Sequence, residues 1–591
     1  MIVSMKKIAL IALSSEAQKT VEQLQQMGVL HVQQLHHHDL SEHVVIARMH
    51  ERIEDIKTCM YYLEDLKNEK IEAAESARKL SVDEMIERIE RIDHIDLENQ
   101  NIGKVLDDFE PFGDFDPEHI QRLAEKGVHV RLYRSNRSAL PALPEHAAMV
   151  TLKEMGDELY YAVVSDRPFQ LDLPAMSLPE KPTTELKDAL QGLRDERQAI
   201  RRELAAQTRF IPDLRDALLG VHDELALEET RERLGKHGEL SWIMGYCPAK
   251  RISAVEEAAK THGWGLRITD PGKNDEVPTL IENPGWLRPV ETVFNFIETY
   301  PGYHERDASP AFYFFLSLFY AMLIGDVGYG MIFLAICAGV HFRFGDRIPK
   351  QPLILFYVFN VATVIWGVLT GSWFGIRLSP DNPLMKLAVI DTDNTQLMMI
   401  ICFVIGAIQL SIAHLWNMVC VINSRKAIAE IGWLMALWTA FFLAMNVIAG
   451  VEYPSFMTWI GLAGIAMALI FSGDLTNVAG MFQFPFKVIG CFADIASYLR
   501  LFAVGSAAVA LARVFNGMAV EMGWDGVLAT FGSAVILLVG HSLNLVLGPL
   551  SVLVHGLRLN LLEFSGHMGQ EWTGFKYDPF RCHRTTNDQT R

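Results

Sequence analysis

The chain has 591 residues, half of them hydrophobic, and a formal net charge of −18. The excess acid is confined to residues 1–309, which hold 38 Lys+Arg against 56 Asp+Glu, whereas residues 310–591 hold 15 of each. That asymmetry excludes a single soluble globule, a disordered chain and a basic nucleic-acid binder, and sets an acidic soluble half beside a membrane half.

In chain order, Lys6 and Lys7 precede the apolar run Ile8–Leu13. The run is too short for a signal-peptide core and lacks a small-residue cleavage pattern, so it reads as a strand and leaves the soluble half in the cytoplasm. Ser15 can cap a helix through Met27, Gly28 can end it, and Val29–Leu35 reads as a second strand. A similar α/β unit recurs as strand Trp242–Tyr246, helix Ile252–Thr261 and strand Trp264–Ile268, with further strands at Val128–Tyr133 and Leu159–Val164. Long charged helices lie between the lobes. Val44–Ile95 carries Ile53, Ile56, Met60 and Leu63 on one stripe, and from Leu186 to Leu225 a 4-3 spacing is apolar at ten of twelve positions. Pro212 should kink that helix or break it in two. The two helical regions can pair antiparallel as a rod with a lobe at each end; a compact bundle is the alternative.

His36, His37 and His38, with His31 and His43 nearby, read as a polar loop, because no spaced carboxylate or cysteine completes a metal-ligand set. The seven cysteines show no CxxC spacing, so neither a zinc ribbon nor a disulfide scaffold is indicated. Gly272-Lys273 lacks the glycine spacing of a phosphate loop, and Asn274 stands where Ser or Thr would bind magnesium. No Walker A motif occurs, so the chain is expected to hydrolyse no nucleotide by itself and to carry neither metal nor cofactor.

After Pro310 apolar stretches recur at 311–324, 329–342, 352–376, 396–422, 427–449, 456–472, 484–520 and 526–563. They predict an α-helical membrane domain, 310–591, of eight spans, the last two long and tilted or bent. The first two flank Gly325-Asp326-Val327-Gly328-Tyr329-Gly330, the mark of a broken or re-entrant pair. Loop charge sets the orientation. Arg343, Arg347, Lys350, Arg425, Lys426 and the tail bases Lys576, Arg581, Arg584 and Arg591 fall on the side of the soluble half. Asp381, Asp391, Asp393, Glu452, Glu521 and Asp525 fall on the other. Both termini are therefore expected in the cytoplasm.

Ionisable groups inside apolar helices default to a functional reading. Arg500 and Arg558 stand deep in the two longest stretches, and neither can be neutralised by deprotonation. Ala496, Ser497, Ala503, Gly505, Ser506, Ala507 and Ala508 surround Arg500, a small-residue face on which another helix can approach. An internal pair with Asp326 or Asp494 is the plainer reading of these cations. Asp326, Gln409, His414, Glu430, Asp494, His541, Asn544, His555 and Glu563 are candidates for lining aqueous access paths.

With these residues in view, the whole chain resembles the V/A-type ATPase membrane stator, called subunit a in eukaryotes and subunit I in bacteria and archaea. The carrying motifs are Ser497-Tyr498-Leu499-Arg500-Leu501-Phe502-Ala503, Leu543-Asn544, His555-Gly556-Leu557-Arg558-Leu559 and Glu563-Phe564, with Gly325–Gly330 upstream. Pro301-Gly302-Tyr303, Asp307-Ala308-Ser309-Pro310 and Trp242-x-x-Gly245 with Pro248 add to them. The resemblance implies a non-catalytic subunit with two offset ion half-channels, against which a ring of proteolipid (c/K) subunits turns. Arg500 would be the main barrier residue and Arg558 its companion. Implied partners are that ring, peripheral stalk subunits of the E/G type, a central-stalk adaptor subunit and membrane lipid, with no nucleic acid. Two family positions differ: Ala508 stands where eukaryotic members carry a histidine, and Gly548 where they carry a glutamate. The competing readings are a secondary transporter with a cytoplasmic regulatory domain and a membrane scaffold; the sequence leaves H+ and Na+ open.

Overall fold

The computed structural model describes residues 1–33, 43–69, 71, 78–137, 140–141, 143–345, 348–378, 381–472 and 478–583. His36–His38, Arg347, Arg584 and Arg591 lie outside the described residues. The fold is mostly helical with an α/β N-terminal region. It divides into two compact units: Met1–Ile11 with Val29–Gln33 and Ile243–Pro579, and Ala12–Gly28 with Gln34–Trp242 and Phe580–Arg591. These are units of packing, whereas a boundary at 309/310 separates charge-rich from apolar sequence.

The N-terminal elements follow the sequence pattern closely. Strand β1 spans Met5–Leu13, helix α1 Ala17–Met27 and strand β2 only His31–Val32, shorter than the expected Val29–Leu35. Gly28, at φ 59°, ends α1 in the left-handed conformation that other residues resist. The charged stretch from 44 forms two helices, α2 (Val44–Asn68) and α3 (Val82–Phe109), the second started by a Ser81–Glu84 capping box. Helix α4 (Pro117–Glu125) precedes strands β3 (His129–Asn136), β4 (Ala147–Met155) and β5 (Glu158–Ser165), which form an antiparallel sheet in the order β3-β5-β4. Strand β4 was not expected, because it alternates poorly and is mostly exposed.

The heptad stretch is also divided, into α5 (Thr183–Ala205) and α6 (Ile211–Glu232), joined by a tight turn over Ala206–Phe210. Pro212 sits in the first turn of α6, where its missing N–H costs nothing. The break matches the gap between α2 and α3, so α6 packs on α2 and α5 on α3. Ile46, Ile53 and Leu225 close one end, and Ile56, Leu63, Leu66, Leu204 and Ile211 form the layer at the break. Arg91 pairs with Glu196 at 2.8 Å and Arg88 with Glu203 at 2.8 Å along the antiparallel seam.

Strand β6 (Gly235–His237) pairs with the start of β7 (Leu240–Pro248), and helix α7 (Ile252–His262) leads to β8 (Gly265–Thr269). Residues Lys7–Ile11 of β1 run antiparallel to Gly265–Thr269, and β2 to Gly245–Tyr246. Short helix α8 (Pro289–Phe296) precedes the apolar helices: α9 (Ser309–Ile324), α10 (Val327–Phe344) and α11 (Lys350–Thr370). A small hairpin, β9 (Ser372–Trp373) and β10 (Ile376–Arg377), follows, then α12 (Thr395–Cys420), α13 (Lys426–Ala449), α14 (Phe456–Phe471), α15 (Val478–Ser497), α16 (Leu499–Met522), α17 (Val527–Ser551) and α18 (Ser565–Met568). Six stretches among the described residues are long and apolar enough to cross a membrane, two of them, Gly480–Met522 and Val527–Met568, running 43 and 42 residues. Helices α9 and α14 are shorter, at 16 residues each. All eight expected stretches are helical; six meet the length of a span.

Candidate functional site

Helices α9 and α10 are separated by Gly325 and Asp326. Gly325, at φ 63°, ends α9, and Asp326 caps α10. The Asp326 carboxylate accepts from the backbone N–H of Gly328 and Phe374 at 2.8 Å, Tyr329 at 3.3 Å, Gly375 at 2.8 Å, and the Ser372 hydroxyl at 2.7 Å. Five donors saturate it, which is how a 1 % exposed charge is tolerated without a cation. It is therefore not the partner of either arginine. Beside it, the Tyr329 hydroxyl lies 2.7 Å from His541 Nδ1 and accepts from Asn544 Nδ2 at 3.1 Å. Asn544 also donates to the Ala508 carbonyl.

Arg500 occupies the first turn of α16, just past the break at Tyr498. The fully buried Tyr498 hydroxyl donates to Gln409 at 2.8 Å, and Gln409 donates to Asn560 at 2.9 Å, fixing α12, the α15–α16 break and the chain beyond α17 against one another. Past Pro549 that chain is wound as two wide π-helical turns, Val552–Gly556 and Leu559–Phe564, on either side of Arg558. An α-helix would carry residue i+5 well round the axis, whereas a π-turn closes at i+5. The wide winding thus brings Glu563 beneath Arg558. Glu563 Oε1 lies 3.7 Å from Arg558 Nε and 3.5 Å from Arg500 Nη2. Both contacts are longer than a hydrogen bond. The buried Glu563 Oε2 and Arg500 Nη1 have no hydrogen-bond partner. The internal carboxylate shared by the arginines is thus Glu563, not Asp326 or Asp494. The site is loosely held, with one guanidinium nitrogen and one carboxylate oxygen left over.

Asp494 belongs to a second cluster. His414 Nδ1 lies 2.7 Å from Glu430 Oε2, His414 Nε2 2.8 Å from His567 Nδ1, and His567 Nε2 3.1 Å from Asp494 Oδ2. These groups line a cavity of about 340 Å³. A separate cavity of about 230 Å³ is lined by Ser506, Gly505 and Arg513 of α16 with Asp393 and Thr395 of the preceding loop and α12. Arg513 pairs with Asp393 at 2.8 Å, and that guanidinium holds the Asp393 carboxyl below the usual range. Along the α15–α16 axis Asp494 and Arg513 fall on opposite sides of Arg500, so the two cavities flank the arginine from different ends. His555 is partly exposed and lies within reach of the charges of Arg500 and Arg558, at the edge of the arginine site.

The structure thus sorts the candidates into an arginine site (Arg500, Arg558, Glu563, with Gln409 behind it), an imidazole–carboxylate cluster (His414, Glu430, Asp494), and a group beside the Asp326 cap (His541, Asn544). Sequence reasoning missed His567, Asn560 and Arg513, and quoted Tyr329 and Tyr498 only as motif residues. His567 was within reach of it, as an ionisable residue one turn beyond Glu563; the partners of the others depend on tertiary contacts.

The chain aligns from end to end with curated proteins of one kind. It is 28% identical over 625 residues to V-type ATP synthase subunit I of Borreliella burgdorferi, covering 98% of this chain and 99% of that protein. It is 29% identical over 634 residues to V-type ATP synthase subunit I 1 of Treponema pallidum, covering 98% and 100%. Its homologues are V/A-type ATP synthase subunit I. An archaeal A-type ATP synthase subunit I, from Methanocaldococcus jannaschii, is 24% identical over 486 residues, covering 74% of this chain and 69% of that protein. A solved structure described as the cytoplasmic N-terminal domain of subunit I, homolog of subunit a, of V-ATPase covers 45% of this chain and 100% of that one, at 16% identity and a TM-score of 0.21. No protein-family model matches the chain. The subunit I homology is consistent with a membrane subunit of a rotary ATPase, acting within a larger complex.

Proposed function

We propose that the chain is the membrane stator of a rotary V/A-type ATPase, a non-catalytic subunit that couples ATP hydrolysis or synthesis elsewhere in the complex to movement of H+ or Na+. The observation that carries this reading is the incomplete pairing of Arg500. Its only carboxylate contact among the described residues is 3.5 Å long, and its buried Nη1 has no partner. A carboxylate on a passing ring subunit would complete it. The same helix offers a surface for such a neighbour: Ala503, Ser506, Ala507, Ala510, Val514 and Gly517 are exposed at helical spacing. A permanent cation there attracts the ionised ring carboxylate and blocks direct ion flow, while the two cavities serve as half-channels. Glu563 holds Arg500 and Arg558 together between encounters, with Arg558 as the companion cation.

The loop charges orient the chain in the cell membrane with the soluble half and the C-terminus in the cytoplasm. In that orientation residues 1–309 link the membrane sector to peripheral stalk subunits and the central-stalk adaptor, while 310–591 faces lipid and the proteolipid ring. Purification of the tagged chain in mild detergent tests this. Nucleotide-binding, stalk and ring subunits should co-purify, and a cysteine at Ala510 should cross-link to the ring subunit. A chain that purifies without nucleotide-binding subunits and forms no such cross-link would favour the transporter reading.

A further inference from the structure

The cluster Glu430–His414–His567–Asp494 contains a proton count. Three hydrogen bonds, of 2.7, 2.8 and 3.1 Å, join two carboxylates through two imidazoles. A carboxylate can only accept, so each outer bond needs a proton on the histidine nitrogen, and the central bond needs one more. Three protons on four ring nitrogens is one more than two neutral imidazoles carry. With both carboxylates ionised, the fully bonded chain therefore holds one excess proton and a net charge of −1. That proton has two equivalent homes. When His414 is the imidazolium, its Nε2–H donates to His567 Nδ1. Moving this one proton across breaks the His414 N–H bond, forms the His567 N–H bond, and leaves His414 neutral and His567 cationic. No other group changes charge.

We propose that these four residues are a proton relay and that the ion carried by the complex is H+; the inference rests on the rotary-stator reading. His567 passes its Nε2 proton to Asp494 while the central proton moves from His414 Nε2 to His567 Nδ1, which leaves both imidazoles neutral and Asp494 protonated. Asp494 then loses that proton and the two imidazoles turn. A proton taken up at Glu430 passes to the bare His414 nitrogen turned toward it, so three protons again occupy the four ring nitrogens and the starting bonds are restored. Asp494 lies one turn before Ser497, whose hydroxyl donates to the Asp494 carbonyl at 2.6 Å and sits beside Glu563. The relay therefore ends next to the arginine site. Its other charged surroundings are Lys487 of α15, which lines the same cavity, and Arg306, which donates to Asn417 one turn along α12 from His414. Asn417 in turn donates to the His567 carbonyl at 2.8 Å, holding that ring's segment in place. A sodium ion needs a shell of oxygens, whereas here the imidazole nitrogens are engaged with carboxylates and with each other.

The test uses the purified whole complex in sealed vesicles, with ATP hydrolysis, subunit composition, proton uptake and sodium uptake measured on one preparation. Wild type should take up protons, with no sodium uptake that survives a protonophore. His414→Gln and His567→Gln keep a hydrogen-bonding group but cannot carry a proton, and each should assemble with the full set of subunits and lose at least about tenfold in ATP-driven proton uptake. If glutamine disturbs assembly, His567→Ala leaves room in the cavity for added imidazole, which should restore proton uptake. Protonophore-resistant sodium uptake, glutamine variants within twofold of wild type, or an alanine variant that imidazole does not restore would overturn the relay while leaving the stator reading intact. A wild-type complex that moves neither ion would overturn the stator reading itself.

Discussion

Two carboxylates in apolar surroundings, Asp326 and Glu563, are satisfied in opposite ways. Asp326 is filled by five donors that tie the α9–α10 break to the hairpin after α11. Glu563 keeps an unpartnered oxygen between two arginines. The first arrangement holds structure, and the second leaves charge available. Replacing Asp326 by Asn would set an amide N–H against donors that need an acceptor. Asp326→Asn should therefore lower stability by about 2 kcal/mol, the scale of a lost cap with charge-assisted bonds, while complexes that assemble keep their ion coupling. Thermal melting in detergent, with pumping scaled to assembled complex, checks both parts. At this scale the sequence marks which residues are anomalous but not what they meet. Asp326, Asp494 and Glu563 look alike as isolated acids in apolar stretches, and only the folded chain assigns one to a cap, one to an imidazole and one to the arginines.

Among the elements, the long helices were legible, as were the breaks marked by Pro212 and by Gly325-Asp326; the matching division of residues 44–95 into α2 and α3 was not. The 4-3 pattern through Leu225 predicts the pairing with residues 44–95, but a heptad pattern is indifferent to a short break that both partners share. Leu204, fully buried where the turn over Ala206–Phe210 meets the gap between α2 and α3, holds that junction with Ile56, Leu63 and Leu66. Leu204→Ala should cost about 2–4 kcal/mol. Hydrogen exchange should then quicken in α2, α5 and α6 and stay unchanged in the β3-β5-β4 sheet. The π-helical winding around Arg558 was equally hidden. Pro549 signals a disturbed helix, since it removes an N–H from the ladder, but not that the wider turns would carry Glu563 round to both arginines.

Over the whole molecule, the uneven charge separated acidic from apolar sequence at once, because a membrane tolerates few ionisable groups. It did not foresee that residues far along the chain return to the first lobe. Residues Gly574–Asp578 run beside it: Thr279 donates to the Phe575 carbonyl at 2.8 Å, and the Tyr577 hydroxyl donates to the Val29 carbonyl at 2.6 Å. Tyr577 is buried with Met5, Tyr246 and Val277. Such a return rests on backbone pairing between distant segments, which leaves no periodic trace. The central claim concerns Arg500 as the cation that meets a carboxylate from another chain. Its most direct test is ATP-driven ion uptake by reconstituted complexes carrying Arg500→Ala, with subunit composition as the control. The account predicts normal assembly and no coupled uptake, failure of Arg500→Lys as well, and a smaller loss for Arg558→Ala, whose side chain is already half exposed. Full uptake by assembled Arg500→Ala complexes would contradict it.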